Sequence, residues 1–127
     1  MSKTSKIDFS ELDQLKQFMD RRIFDEALLL VSDLCAKNPY SPYLWIVRAR
    51  LEILEGGSDS NPFGDAEKFL LCAYQINPND IEALEELAHF YDVIEPNREK
   101  AQRFASLLIE KIEILERDMK NILEDAE

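Results

Sequence analysis

His89 is the only histidine in the 127-residue chain, and any acid–base or metal chemistry would be sought there first. Glu85 lies four residues before it and Asp92 three after it, so on a helix the three share one face. That set could hold a divalent cation weakly, but three ligands from one helix, without a cysteine or second histidine, make a poor zinc site. No nucleophile or oxyanion device accompanies His89, so a proton-transfer role has nothing to act on. The segment Asp59-Ser60-Asn61-Pro62-Phe63-Gly64 begins like a calcium loop. Phe63 replaces an oxygen ligand there, however, and Leu70 stands where the bidentate glutamate belongs. Three glycines are too few to build a glycine-rich phosphate loop. Cys35 and Cys72 lack CxxC spacing and fall within apolar helical patterns, which reads as buried free thiols in a reducing compartment. The expectation is a protein that is not an enzyme, with no cofactor and no metal.

Composition narrows the class further. A chain of this length with 46% hydrophobic residues carries enough apolar surface for one globular domain. The net charge is −11, and residues 81–127 hold 13 of the 26 acidic groups against 6 of the 15 basic ones. Such a field repels phosphate backbones and argues against nucleic acid as a partner. It favours a basic protein partner, or simply keeps the chain soluble. The longest uncharged apolar run, Ala27 to Ser32, is far shorter than the ~20 residues of a membrane span. The opening residues, Met1 to Lys6, are followed by no apolar stretch of a secretory signal, so a cytoplasmic location is expected.

The elements that must position these residues are helices, because nearly every apolar residue falls into helical spacing and no alternating strand pattern occurs. Six helices are predicted. The first runs near Ser10 to Asp20, with Ser10 as its N-cap and Phe9, Leu12, Leu15, Phe18 and Met19 on one side. The second runs near Asp25 to Lys37 and stops at Asn38-Pro39. Ser41-Pro42 opens a third, which Gly56-Gly57 ends. Asn61-Pro62 opens a fourth, reaching Ile76. Asn79 or Asp80 caps a fifth, through about Val93, and Pro96-Asn97 separates it from a sixth.

The sixth helix has no glycine or proline from Asn97 to Glu127. Its apolar residues step by four and three through Ala101, Ala105, Leu108, Ile112, Leu115, Met119 and Ile122, a heptad seam. It outreaches the fifth helix, so Leu115, Met119, Ile122 and Leu123 need a further surface. Earlier helices of the same chain could supply it, or a second copy in a homodimer; without either the helix end frays.

Internal repetition points to a family. Lys37-Asn38-Pro39 and Ile76-Asn77-Pro78 both close a helix, 39 residues apart, and Ala27 and Ala66 precede their prolines by the same 12 residues. Trp45, Ala49, Ala66, Ala73 and Pro78 match the aromatic, small and terminal positions of one unit. Leu84, Leu87, Ala88, Tyr91 and Ala101 match a second, and Phe18, Ala27 and Pro39 a third, in which Glu11 replaces the tryptophan. This pattern resembles the tetratricopeptide repeat. Three units follow, 8–41, 42–80 and 81–115, with a helical extension over 116–127 and an insertion within Gly56 to Phe63. The fold class implied is all-α, a single TPR-like solenoid of stacked antiparallel hairpins with a long C-terminal helix.

The resemblance also implies a concave groove lined by the first helix of each pair. Its positions here are Phe9, Leu12, Lys16 and Met19; Tyr43, Ile46, Arg50 and Ile53; and Glu82, Glu85, His89 and Asp92. Phe9, Leu12 and Ile46 suit a core equally well, Trp45 suits the core better than the groove, and the acidic positions suit an ordinary solvated face. The resulting expectation is a cytoplasmic adaptor that binds a peptide or segment of another protein and contacts neither nucleic acid nor membrane. An acidic inhibitor or immunity protein covering a basic toxin or nuclease, and a secretion or assembly chaperone, are the alternatives.

Overall fold

A computed structural model describes residues 9–55 and 61–125. The chain is all-α: α1 (Phe9–Asp20), α2 (Phe24–Lys37), α3 (Pro42–Leu54), α4 (Pro62–Ile76), α5 (Ile81–His89), a π-helical turn (Phe90–Ile94) and α6 (Arg98–Asp125). Among the described residues there is no strand. Gly56-Gly57, Ser58, Asp59 and Ser60, read above as a helix stop and the start of a calcium-like loop, lie outside the described residues, as do Met1 to Lys6 and Glu127.

Helix ends follow the local chemistry in most places. Asn61 caps α4 by accepting a hydrogen bond from the Gly64 amide at 3.2 Å, with Pro62 opening the first turn. Asp80, rather than Asn79, caps α5 by accepting from the Ala83 amide at 3.1 Å. Asn97 accepts from the Lys100 amide at the start of α6. Ser10 lies inside α1 and not at its cap. Ser41 makes no side-chain cap bond, so there the fixed φ of Pro42 alone sets the helix start. α1 closes with the Ile23 amide donating to the Phe18 carbonyl and the Arg22 amide to Met19, a Schellman arrangement. Its left-handed residue is Arg22 (φ 61°), where glycine is usual.

Contacts divide the chain into two compact units, Met1–Asn77 and Pro78–Glu127, where the sequence suggests one domain. In the first, α1 packs on α2, α2 on α3 and α3 on α4. Short connections between packed helices require successive ones to run antiparallel. The core joins Leu15, Val31, Leu34, Leu44, Val47 and Leu51, with Trp45, Phe18 and Met19 packed around it. Ala27, Ala49, Ala66 and Ala73, the small positions of the repeat pattern, are at most 1% exposed. A small side chain at such a site lets a neighbouring helix approach closely, and a larger one would have to be accommodated by moving a whole helix.

In the second unit, α5 and the π-helical turn pack along the first half of α6. Tyr91 stacks on Phe104 with ring centroids 6.0 Å apart, and Phe90 meets Tyr91 edge-on at 5.3 Å. The π turn is closed by the Glu95 amide donating to Phe90 and the Asn97 amide to Tyr91. Phe104 is the one buried residue of α6. Beyond Leu108 the seam has no cover: Ile112, Leu115, Met119, Ile122 and Leu123 are all exposed.

Candidate functional site

The positions assigned to the groove occupy the first helix of each hairpin, and most reach solvent. On α1, Lys16 is exposed and Met19 half-buried, and Phe9 at the helix start is exposed. On α3, Tyr43 is exposed, whereas Arg50 and Ile53 are half-buried. Ile46, between them on the same face, is fully buried. It belongs to the interior and is removed from the set of groove residues. Leu12 is half-buried and packs against the core of the first unit. On α5, Glu85 and His89 are exposed and Glu82 half-buried, and Asp92 in the π-helical turn that follows is exposed. The His89 Nε2 lies 3.9 Å from a Glu85 carboxylate oxygen, an i,i+4 pair on an open surface. Among the described residues no cluster of three histidine, cysteine or carboxylate groups could hold a metal ion. No described helix is long and apolar enough to cross a membrane.

Glu11, which stands where the repeat pattern would place a tryptophan, ties α1 to α2 by a different means. Lys37 Nζ sits 3.4 Å from Glu11 and 3.1 Å from Asp33, and the two carboxylates raise the lysine above its ordinary value. An ion pair this exposed adds little stability.

Sequence reasoning missed an aromatic and cationic cluster on α3 and α4. Trp45 is partly buried and packs against the core of the first unit, and its indole N–H donates to the Pro39 carbonyl at 2.9 Å. Its ring lies 5.5 Å from Phe69, and the Arg48 guanidinium sits over both rings, 5.6 Å from Trp45 and 4.3 Å from Phe69. The Arg48 Nε atom is buried without a hydrogen-bond partner. Cys35 lies beside this cation, yet burial outweighs the Arg48 charge and pushes the thiol up to about 11. One turn further along α3, Glu52 is 9% exposed, and its carboxyl is raised by burial and by Asp65, against the opposing charge of Arg48. The spacing of Arg48 and Glu52, four apart on α3, was visible in the sequence; their withdrawal from water was not.

Next to Trp45 opens a cleft of about 400 Å³ lined by Pro39, Tyr40, Trp45, Cys72, Gln75 and Ile76. Its walls are apolar and aromatic, and Tyr40 at its rim is 83% exposed. The one advance signal was Tyr40 in a turn, where an aromatic side chain has no interior to fill. The cleft can desolvate an apolar side chain; Tyr43 and Arg50, seven residues apart, share a different face of α3.

No family model matches the chain, and no curated protein matches it either.

Proposed function

We propose that the protein is a non-enzymatic interaction module of stacked, tetratricopeptide-like hairpins that holds a peptide or segment of another protein. Within the first unit Lys16, Met19, Tyr43, Arg50 and Ile53 would receive an apolar and acidic stretch; the second unit, taken by itself, offers Glu82, Glu85 and Asp92 to a basic one. His89 lies among the latter and adds a polar contact. The same reading places the protein in the cytoplasm and has copies associate through the exposed seam of α6.

The observation that supports the recognition surface best is Tyr43. It is 49% exposed on a largely buried helix, two turns from the half-buried Arg50 on the same face. A large aromatic group left at a surface beside fixed charge is the composition of a protein-contact centre. The test compares proteins retained from native cytosol by the chain and by its Tyr43→Ala/Arg50→Ala variant, quantified by mass spectrometry. A partner held by the first and lost by the second, with circular dichroism and melting unchanged, is the expected result. Equal retention by both removes the groove assignment.

A further inference from the structure

We infer that the uncovered half of α6 pairs antiparallel with the same segment of a second copy, in one register. The inference rests on the association proposed above and adds its orientation and its partners. Six apolar residues, Ile109, Ile112, Leu115, Met119, Ile122 and Leu123, are 45–69% exposed and form a stripe along α6. The stripe continues the face that carries Phe104, which Tyr91 covers in the first half of the helix. From Ile109 to Asp125 the uncovered length is about 25 Å, and a face of that kind in water calls for a partner.

A second copy fits this face by its own symmetry. With Leu115 set opposite the second copy's Met119, Ile112 meets the second copy's Ile122, so all four seam positions are filled by comparable apolar groups. The edges then match as well. Ile109 faces the second copy's Leu123 on one side, and Lys111 faces the second copy's Asp125 on the other. Because the contact is two-fold, each of these pairs occurs twice. A parallel pair would instead bring both α5 helices to the same end of the same seam, since α5 packs on that face of α6. In the antiparallel pair only the free end of the second copy's α6 approaches α5.

Two like-charged pairs sit at the symmetry axis, Glu116 with its equivalent and Asp118 with its equivalent. Lys120, 3.3 Å from Glu116 in the same helix, offsets the first, and nothing comparable offsets the second. Association is therefore opposed by charge at its centre and strengthens as salt screens it, the reverse of a basic–acidic partnership.

Sedimentation velocity of the full chain over a concentration series measures this. The expected result is a monomer–dimer equilibrium that tightens roughly threefold or more in high salt and on Asp118→Asn. It is lost in Leu115→Glu/Met119→Glu, whose circular dichroism stays that of the parent because both sites are exposed. Orientation is read from Asp118→Cys and Ile112→Cys under mild oxidation with peptide mapping. An inter-copy disulfide at position 118, and none at 112, supports the antiparallel register. A dimer linked at 112 and not at 118 overturns the orientation while leaving association through α6 standing. A monomer at every concentration, or a dimer indifferent to Leu115→Glu/Met119→Glu, overturns both and leaves the groove reading untouched.

Discussion

Three side chains on or beside α3, Cys35, Arg48 and Glu52, set the electrostatics of the first unit's interior. The Arg48 guanidinium is held over two aromatic rings, which accept its charge through their faces without hydrogen-bonding its Nε. Glu52, one turn along α3, feels the attraction of Arg48, but burial and Asp65 raise its carboxyl against that pull. The folded chain thus keeps the Glu52 proton to a higher pH than the unfolded chain does. The stability this contributes is fully present in acid and is lost as pH rises from the ordinary carboxylate range through the raised value. At neutral pH the ionised group is a net burden, so Glu52→Gln should raise the melting temperature at pH 7 by about 2 °C and change it little near pH 3. A lower melting temperature at pH 7 would mean that Arg48 attraction outweighs burial. Cys35, raised to about 11, stays a protonated thiol at that pH and takes no part.

At the scale of elements, the start of α4 shows how a cap and a propensity trade against each other. Gly64 occupies the third helical position, where alanine would favour the helix by about 1 kcal/mol. A Cβ built there falls 2.6 Å from the Asn61 Nδ2 atom, so the capping side chain would have to shift, at the expense of its bond to the Gly64 amide. Losing that cap costs about 1 kcal/mol as well. Gly64→Ala alone should therefore leave the free energy of unfolding near that of the parent. In an Asn61→Ala background the same substitution should stabilise by about 1 kcal/mol. Denaturant titration of the four chains measures this coupling, and an equal effect of Gly64→Ala in both backgrounds would dissociate the glycine from the cap. α6 shows the converse case. Its heptad spacing was complete in the sequence, but only the shortness of α5 and its π-helical turn decides where cover ends and exposed seam begins.

For the whole molecule, the distribution of charge matters more than its total of −11. The first unit presents Lys16 and Arg50 near exposed or half-exposed apolar groups, while α5 and its π-helical turn present Glu82, Glu85 and Asp92. A basic segment recognised by α5 would be steered by this field before contact. Glu82→Lys/Glu85→Lys should then slow its association about tenfold at low salt, with a smaller change in dissociation. Surface plasmon resonance with the partner identified by the Tyr43/Arg50 comparison measures both rates. A change confined to dissociation would assign those carboxylates to short-range contacts instead. Salt would weaken this complex and strengthen the α6 pair, so one ionic-strength series separates the two surfaces.

The helices were legible in the chain itself, because periodicity, Asn61-Pro62, Asp80 and the proline stops act within a few residues of where they stand. So were the alanines that permit close packing, since a small side chain in an apolar row has few other uses. Ile46 was not legible. It suited groove and core equally, and only the packing of neighbouring helices assigns it to the interior. The same holds for Arg48 and Glu52, whose charges suggest solvent until an aromatic ledge and a buried turn enclose them. Local sequence fixes which backbone hydrogen bonds form, because their partners lie three or four residues away. Burial depends on atoms distant in sequence, so tertiary structure alone decided which faces of those helices remain available for recognition.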